Sequence, residues 1–218
     1  MAASARALIM GKTSSFWAGY CDQLRKRPIL TKAATGVVGS LIGDGVAQYS
    51  SSRSVSRSSN GPMFSYDAAR AARLCGYSAV IGSPIGHYWF QFLDKFIFPN
   101  AMGHPMTAVV KTLLDQVIMA PAGIGLFFCA MSMLEGNSLQ EAWASTKQKF
   151  APTLKANYLL WPAANLVNFA FVPPAQRILY CNVVYIFWAS YLSAMASKKG
   201  SSEDEMLVEP AYLAQKEL

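Results

Sequence analysis

The sequence predicts an all-α, polytopic integral membrane helix bundle with four membrane helices, or five if the last two apolar stretches cross separately. Three observations carry that expectation. The chain of 218 residues is 53% hydrophobic and only 14% charged, well below the roughly 25% charged fraction of a soluble domain. Apolar stretches occupy residues 33–49, 74–92, 109–134, 158–172 and 178–196, and several approach the ~20 residues needed to cross a hydrocarbon core. Polar and ionisable side chains recur inside those stretches at helical spacing, and a polar group facing hydrocarbon is costly unless it finds a partner.

Residues 1–31 read as an amino-terminal targeting and interfacial segment. Arg6 and Lys12 stand among Ser and Ala with no acidic residue before Asp22, the composition of a mitochondrial targeting segment. Phe16, Trp17 and Tyr20, with Arg25-Lys26-Arg27, suit an amphipathic stretch lying at the membrane surface.

Residues 32–197 form the expected bundle. In its first helix, Gly39, Gly43 and Ala47 recur every fourth residue, a helix-packing stripe that lets a neighbour approach closely. Ser40, Asp44 and Gln48 make a parallel polar stripe. A carboxylate at mid-membrane costs about 2.5–3.5 kcal/mol on insertion scales. Asp44 therefore either clamps a neighbouring helix through an Arg or lines a wet path. Residues 50–62, rich in Ser with Arg53 and Arg57, read as a solvated linker.

Before the second helix, Arg70 and Arg73 share a face with Asp67, so local pairing is expected. Gly82-Ser83-Pro84-Ile85-Gly86 predicts a kink. His87 follows as a hydrogen-bonding residue, and Tyr88 and Trp89 suit an interface. In the third helix, Lys111 and Asp115 are four apart and can pair on one face, Gln116 follows, and Pro121 interrupts the run.

The fourth stretch is short, and is expected to be a broken or tilted helix continuing across Pro173-Pro174 into the last. Asn157, Trp161, Asn165 and Asn168 fall on one helical face. Residues 198–218, with Glu203, Asp204, Glu205 and Glu209, read as a disordered acidic tail. Cys75, Cys129 and Cys181 sit in apolar stretches as small packing residues, and no metal-ligand spacing occurs.

The formal charge of +7 suits an anionic membrane surface or an anionic solute. Nucleic acid is not expected, because the basic residues lie between apolar stretches without a stripe of aromatics. Catalysis is not expected either. There are two histidines, and no G-x-S-x-G elbow, HExxH, P-loop or glycine fingerprint.

A series of motifs runs the length of this bundle. It opens with Trp17-x-x-Tyr20-x-x-x-Leu24-x-x-x-Pro28-x-x-Thr31 and Gly43-Asp44-x-x-Ala47-Gln48. Asp67-x-x-Arg70-x-x-Arg73, His87-x-Trp89-Phe90-x-x-Leu93-Asp94 and Lys111-x-x-x-Asp115-Gln116-x-x-x-x-Pro121 follow. Trp161-Pro162-x-x-Asn165-x-x-Asn168-Phe169-x-x-Val172-Pro173-x-x-x-Arg177 and Trp188-x-x-Tyr191-Leu192-Ser193 close it. In this order the blocks resemble the twenty-two-kilodalton peroxisomal membrane protein family, which includes the inner-mitochondrial-membrane protein Mpv-seventeen. Asn165 departs from the Gln of many members, and Ser83 separates a Gly and a Pro that the family often has adjacent.

The resemblance implies a small multi-helix protein of the mitochondrial inner membrane, or alternatively of the peroxisomal membrane. Some members are proposed to form weakly selective channels. The expected function is accordingly a weakly selective channel or solute-passage protein supporting metabolite homeostasis, with a non-transporting structural or assembly protein as the alternative. Its pore or polar network is expected to comprise Asp44, Gln48, Lys111, Asp115, Gln116, Asn165, Asn168 and Arg177. The partners expected are the lipid bilayer, small solutes or ions (anionic metabolites among them) and a second copy of the chain. No cofactor or metal is expected.

Overall fold

In the computed structural model, which describes residues 15–58, 65–101 and 103–196, all five apolar stretches lie on helices. The helices are α1 (residues 15–26), α2 (Pro28–Ser58), α3 (Ala68–Tyr77), α4 (Ser83–Phe96), α5 (Pro105–Leu114), α6 (Ala120–Leu134), α7 (Leu139–Phe171) and α8 (Arg177–Ala196). Among the described residues there is no strand. Side chains are described over 15–49, 65–101 and 103–188. Expectations for the first fourteen residues and for the acidic tail lie outside the described residues.

Two wide π turns, Ser78–Gly82 and Asp115–Met119, join α3 to α4 and α5 to α6 into continuous rods. Each is followed at the same interval by a proline, Pro84 or Pro121. A proline ring clashes with the carbonyl four residues back, here Val80 or Val117, and both carbonyls lie inside the widened turn. The expected kink and interruption thus take the form of local widening, with the rod intact.

Two segments, Pro28–Tyr49 and the 30-residue Pro105–Leu134, have the length and hydropathy to cross a membrane. At ~1.5 Å per residue the second spans ~45 Å. The rod of α3 and α4 carries Arg70, Arg73, Asp94 and Lys95, and α7 carries Lys155, three asparagines and two prolines over its course. Averaged hydropathy counts those residues without regard to which way they face.

Burial shows which way. Lys32, Asp44, Arg70, His87, Lys111, Asp115, Asn165, Asn168 and Arg177 are buried, while Leu41, Ile42, Val80, Leu113, Val117, Ile118, Leu166 and Phe187 are exposed. A soluble domain does the reverse. In lipid this arrangement turns apolar side chains outward and polar ones inward.

The helices α2 and α8 lie close together along the small-residue stripe. A Cβ added at Gly39 would sit 2.9 Å from Asn182, and one at Gly43 would sit 2.8 Å from the Tyr185 ring. Phe90 and Leu93 of α4, Ala108 of α5, Phe169 of α7 and Ile178 of α8 form the main apolar cluster. Phe90 and Phe169 meet edge to face at 5.7 Å between centroids. Leu74 and Met131 form a second cluster with Tyr77 and Phe127.

Two expectations about the extent of the helices need correction. The fourth stretch is the end of a continuous 33-residue α7, with Pro152 and Pro162 inside it. It starts at a capping box, in which Ser138 Oγ accepts from the Glu141 amide at 3.4 Å and the Ser138 amide donates to Glu141 Oε2 at 2.8 Å. The Ser-rich segment is not wholly a linker, since α2 continues through it to Ser58. Extending an existing helix costs far less than nucleating one, so residues of middling propensity carry it on. Residues 59–64 lie outside the described residues.

Two predictions follow from this packing. Gly43→Ala forces Tyr185 to move and should cost about 1–3 kcal/mol. Gly45→Ala, whose Cβ meets nothing within 4 Å, should be neutral or gain up to about 1 kcal/mol in helix propensity. Equilibrium unfolding in mixed detergent micelles reads both. At the α7 cap, hydrogen bonds from Ser138 hold the Glu141 carboxyl below the ordinary glutamate range. That contribution is complete above the ordinary glutamate pKa and is lost as pH falls through the lower folded value. Hydrogen exchange in the first turn of α7 should therefore accelerate on acidification, and Ser138→Ala should remove most of the pH dependence.

Candidate functional site

Buried polar side chains form three groups inside the bundle. Lys32 and Asp44 mark two of them on α2, twelve residues and so ~18 Å apart along the axis.

Near the middle of α2, Asp44 Oδ1 lies 2.9 Å from Arg70 Nε of α3. The contact is ionic and out of line for a hydrogen bond, which leaves Arg70 Nε and Nη2 without one. Gln48 Nε2 donates to Asp44 Oδ2 at 2.7 Å and to the Asp67 carbonyl at 3.2 Å, and its Oε1 accepts from the Asp67 amide at 2.7 Å. Asp67 caps α3 by accepting from the Arg70 amide at 2.8 Å. The expected local pairing of Asp67 with the two arginines is therefore replaced. Arg70 reaches Asp44, and Arg73 meets Glu135 at 3.7 Å. Asp67 faces the free amides of its own helix, which a capping carboxylate satisfies better than a side chain one turn on.

In the second group, Asp115 at the start of the second π turn is 8% exposed. Its Oδ1 accepts from Trp89 Nε1 at 2.8 Å, and its Oδ2 accepts from Gln116 Nε2 at 3.1 Å and from Asn165 Nδ2. Gln116 in turn accepts from Asn157 Nδ2 at 3.0 Å through its side chain and from the Tyr158 hydroxyl at 3.2 Å through its carbonyl. One face of α7 thus supplies amides to the π turn. The carboxylate has three neutral donors drawn from three rods. Trp89, expected at an interface, turns inward because its indole N–H finds an acceptor there; Tyr88 beside it stays exposed.

The third group gathers where α4 ends and α8 begins. Asp94 Oδ1 accepts from Lys111 Nζ at 2.6 Å and from Arg177 Nη1 at 2.7 Å, and Asp94 Oδ2 accepts from the same Nη1 at 2.8 Å. Lys111 and Arg177 are 2% and 3% exposed. Arg177 also lies over the Phe169 ring at 5.2 Å. Next to them, Lys32 Nζ stands 2.9 Å from His87 Nδ1, both side chains buried. A charged ammonium can only donate, so Nδ1 accepts and the ring proton sits on Nε2.

The pairing that the spacing of Lys111 and Asp115 allows does not form; Lys111 pairs with Asp94 instead. On a helix a side chain leans toward the amino terminus, so Lys111 leans away from Asp115, and a cation preceding its anion is the weaker order. Of the other expected polar residues, Asp44 and Gln48 belong to the first group and Gln116 and Asn165 to the second. Arg177 belongs to the third. Asn168 joins none of them: it is 0% exposed and donates to Cys181 Sγ at 3.5 Å. Lys32, Trp89 and Asp94 were absent from the expected network. Lys32 immediately precedes the first apolar stretch and Asp94 lies two residues past the second, so counting by apolar run places both outside. A crevice of about 260 Å³ between α6 and α7 is lined by Ser132, Glu135, Asn137, Glu141 and Lys149, apart from all three groups.

The sequence model of the Mpv17 / PMP22 family matches residues 132–193. Protein SYM1 of Eremothecium gossypii is 35% identical over 86% of this chain and 100% of its own length. PXMP2/4 family protein 4 of Dictyostelium discoideum is 33% identical over 82% of this chain and 91% of its own. Peroxisomal membrane protein 2 of Bos taurus is 30% identical over 81% and 87%. No solved structure matches the chain.

Removing one partner of a buried ion pair leaves an uncompensated charge, at a cost of about 3–5 kcal/mol. Arg70→Leu should show a loss of that size in detergent unfolding. Adding Asp44→Leu should restore most of it, since the stranded carboxylate is then gone.

Proposed function

The chain belongs to the Mpv17/PMP22 family, and on that premise we propose that it is a weakly selective solute-passage protein of the mitochondrial inner membrane. It is a multi-pass organelle membrane protein. The peroxisomal membrane is the alternative location, in keeping with the name of the Bos taurus relative. We read the protein as a non-enzyme.

The observation that carries the passage reading is charge left unbalanced inside apolar helices. Asp115 is held by neutral donors, Lys111 and Arg177 share one carboxylate, Asp94, and the buried Lys32 has the imidazole of His87 as its side-chain partner. Bilayer-depth ionisable groups commonly mark solute or ion pathways. Groups serving packing alone gain most when each charge is matched. The pair of Asp44 with Arg70 is so matched, and it favours the second reading, a structural or assembly protein knitted by its own polar groups.

Purified protein in planar bilayers and liposomes separates the two. Passage predicts a conductance and flux of small solutes, changed about threefold or more by Asp115→Asn or Lys111→Ala. Folded protein that carries neither current nor any small solute would leave the assembly reading standing alone.

A further inference from the structure

We propose that Lys32, Lys111 and Arg177, gathered round Asp94 between α2, α4, α5 and α8, form a binding site for a small oxyanion, a carboxylate or phosphate. As the class of solute that passes, this inference rests on the passage reading above; as a binding site it stands on its own geometry.

Three basic side chains are each at least nine-tenths buried: Lys111 and Arg177 hold Asp94, and Lys32 holds His87, two helical turns before Asp94 on α4. His87 and Asp94 are seven residues apart on α4 and so share one face of it, which sets the ammonium of Lys32 on the same side of that helix as the other two cations. Asp94 serves Lys111 and Arg177 at once, so its single charge offsets one of theirs. The next buried acid is Asp115, already holding Trp89, Gln116 and Asn165. With Asp115 included, cations still outnumber carboxylates, three to two. Excess positive charge at low dielectric attracts an anion strongly.

The donors left over also point to an anion. Arg177 Nε is buried with no hydrogen-bond partner, although Nη1 is fully engaged with Asp94. The ammonium of Lys32 has a neutral imidazole as its side-chain partner. An oxyanion can accept from both, and the planar guanidinium suits a carboxylate or phosphate edge. Arg177 also opens α8, whose amino-terminal dipole adds partial positive charge at the same end. Asp94, with its side chain 17% exposed, is the most open member and marks the way in.

In this arrangement Asp94 is a resident competitor. It occupies two of the cations when no ligand is bound, and an arriving anion must share or displace it. Removing its charge should therefore strengthen anion binding while removing a cation weakens it. A role confined to helix packing predicts no such opposite signs.

The test uses full-length protein in phosphatidylcholine nanodiscs, titrated with inorganic phosphate against chloride at constant ionic strength, with thermal stabilisation as the readout of affinity. Phosphate should stabilise the wild type. Lys32→Gln should weaken its binding about tenfold or more, and Asp94→Asn should tighten it about tenfold. If Asp94→Asn fails to fold, Lys32→Gln with Arg177→Lys decides, since both should lose affinity. No phosphate response in the wild type, or one unchanged by Lys32→Gln, overturns the site. Repeating the titration with a tenth of the lipid as cardiolipin identifies the source of the oxyanion. Loss of the phosphate effect there makes a lipid headgroup the occupant and keeps the site; persistence makes it a free solute. Liposome flux of sorbitol, which is uncharged, tests passage separately. Sorbitol flux without phosphate binding removes the anion site alone, and phosphate binding without any flux removes passage alone.

Discussion

A charged side chain in hydrocarbon has one affordable direction, inward, and the architecture follows from that constraint. Lipid solvates neither amide nor carboxylate, so each must be met by protein or by water admitted among the helices. The apolar residues have no such need and cover the outside. Glycines on α2 draw α8 in closely, which shortens the distance that the polar groups must reach. Small residues, prolines and buried charges therefore solve one problem together.

The two π turns show how backbone and polar groups cooperate. A proline inside a rod would clash with the carbonyl four residues back, and widening the turn removes the clash without ending the helix. The second turn begins at Asp115 and sets Asp115 and Gln116, adjacent in sequence, both toward the interior. Asn157 and Asn165 on α7 are spaced two helical turns apart, and they meet Gln116 and Asp115 respectively. The irregular backbone thus holds Asp115 against donors from α4, α7 and its own rod.

The helical class, the positions of the apolar stretches and the family were all legible in the sequence, because helical spacing and motif order are local properties. Side-chain partnership was less so. Lys111 and Asp115 stand at a pairing distance on paper, yet each finds its partner on another helix, which no single-helix rule describes. Lys32 and Asp94 fell outside the apolar runs, whereas long side chains near helix ends can turn back along the bundle. The start of α7 is marked by Ser138-x-x-Glu141, a polar local motif that lies outside every apolar run. The count of membrane crossings depends on orientation of polar faces, which hydropathy averages away.

The sharing of Asp94 Oδ1 by Lys111 and Arg177 has a mechanical side. One oxygen is the common pivot of three rods, α4, α5 and α8. A shift of α4 that lengthens either contact alters the other at the same atom, so α5 and α8 feel its movement together. The joint transmits displacement as a pin does between levers, with no need of a larger interface.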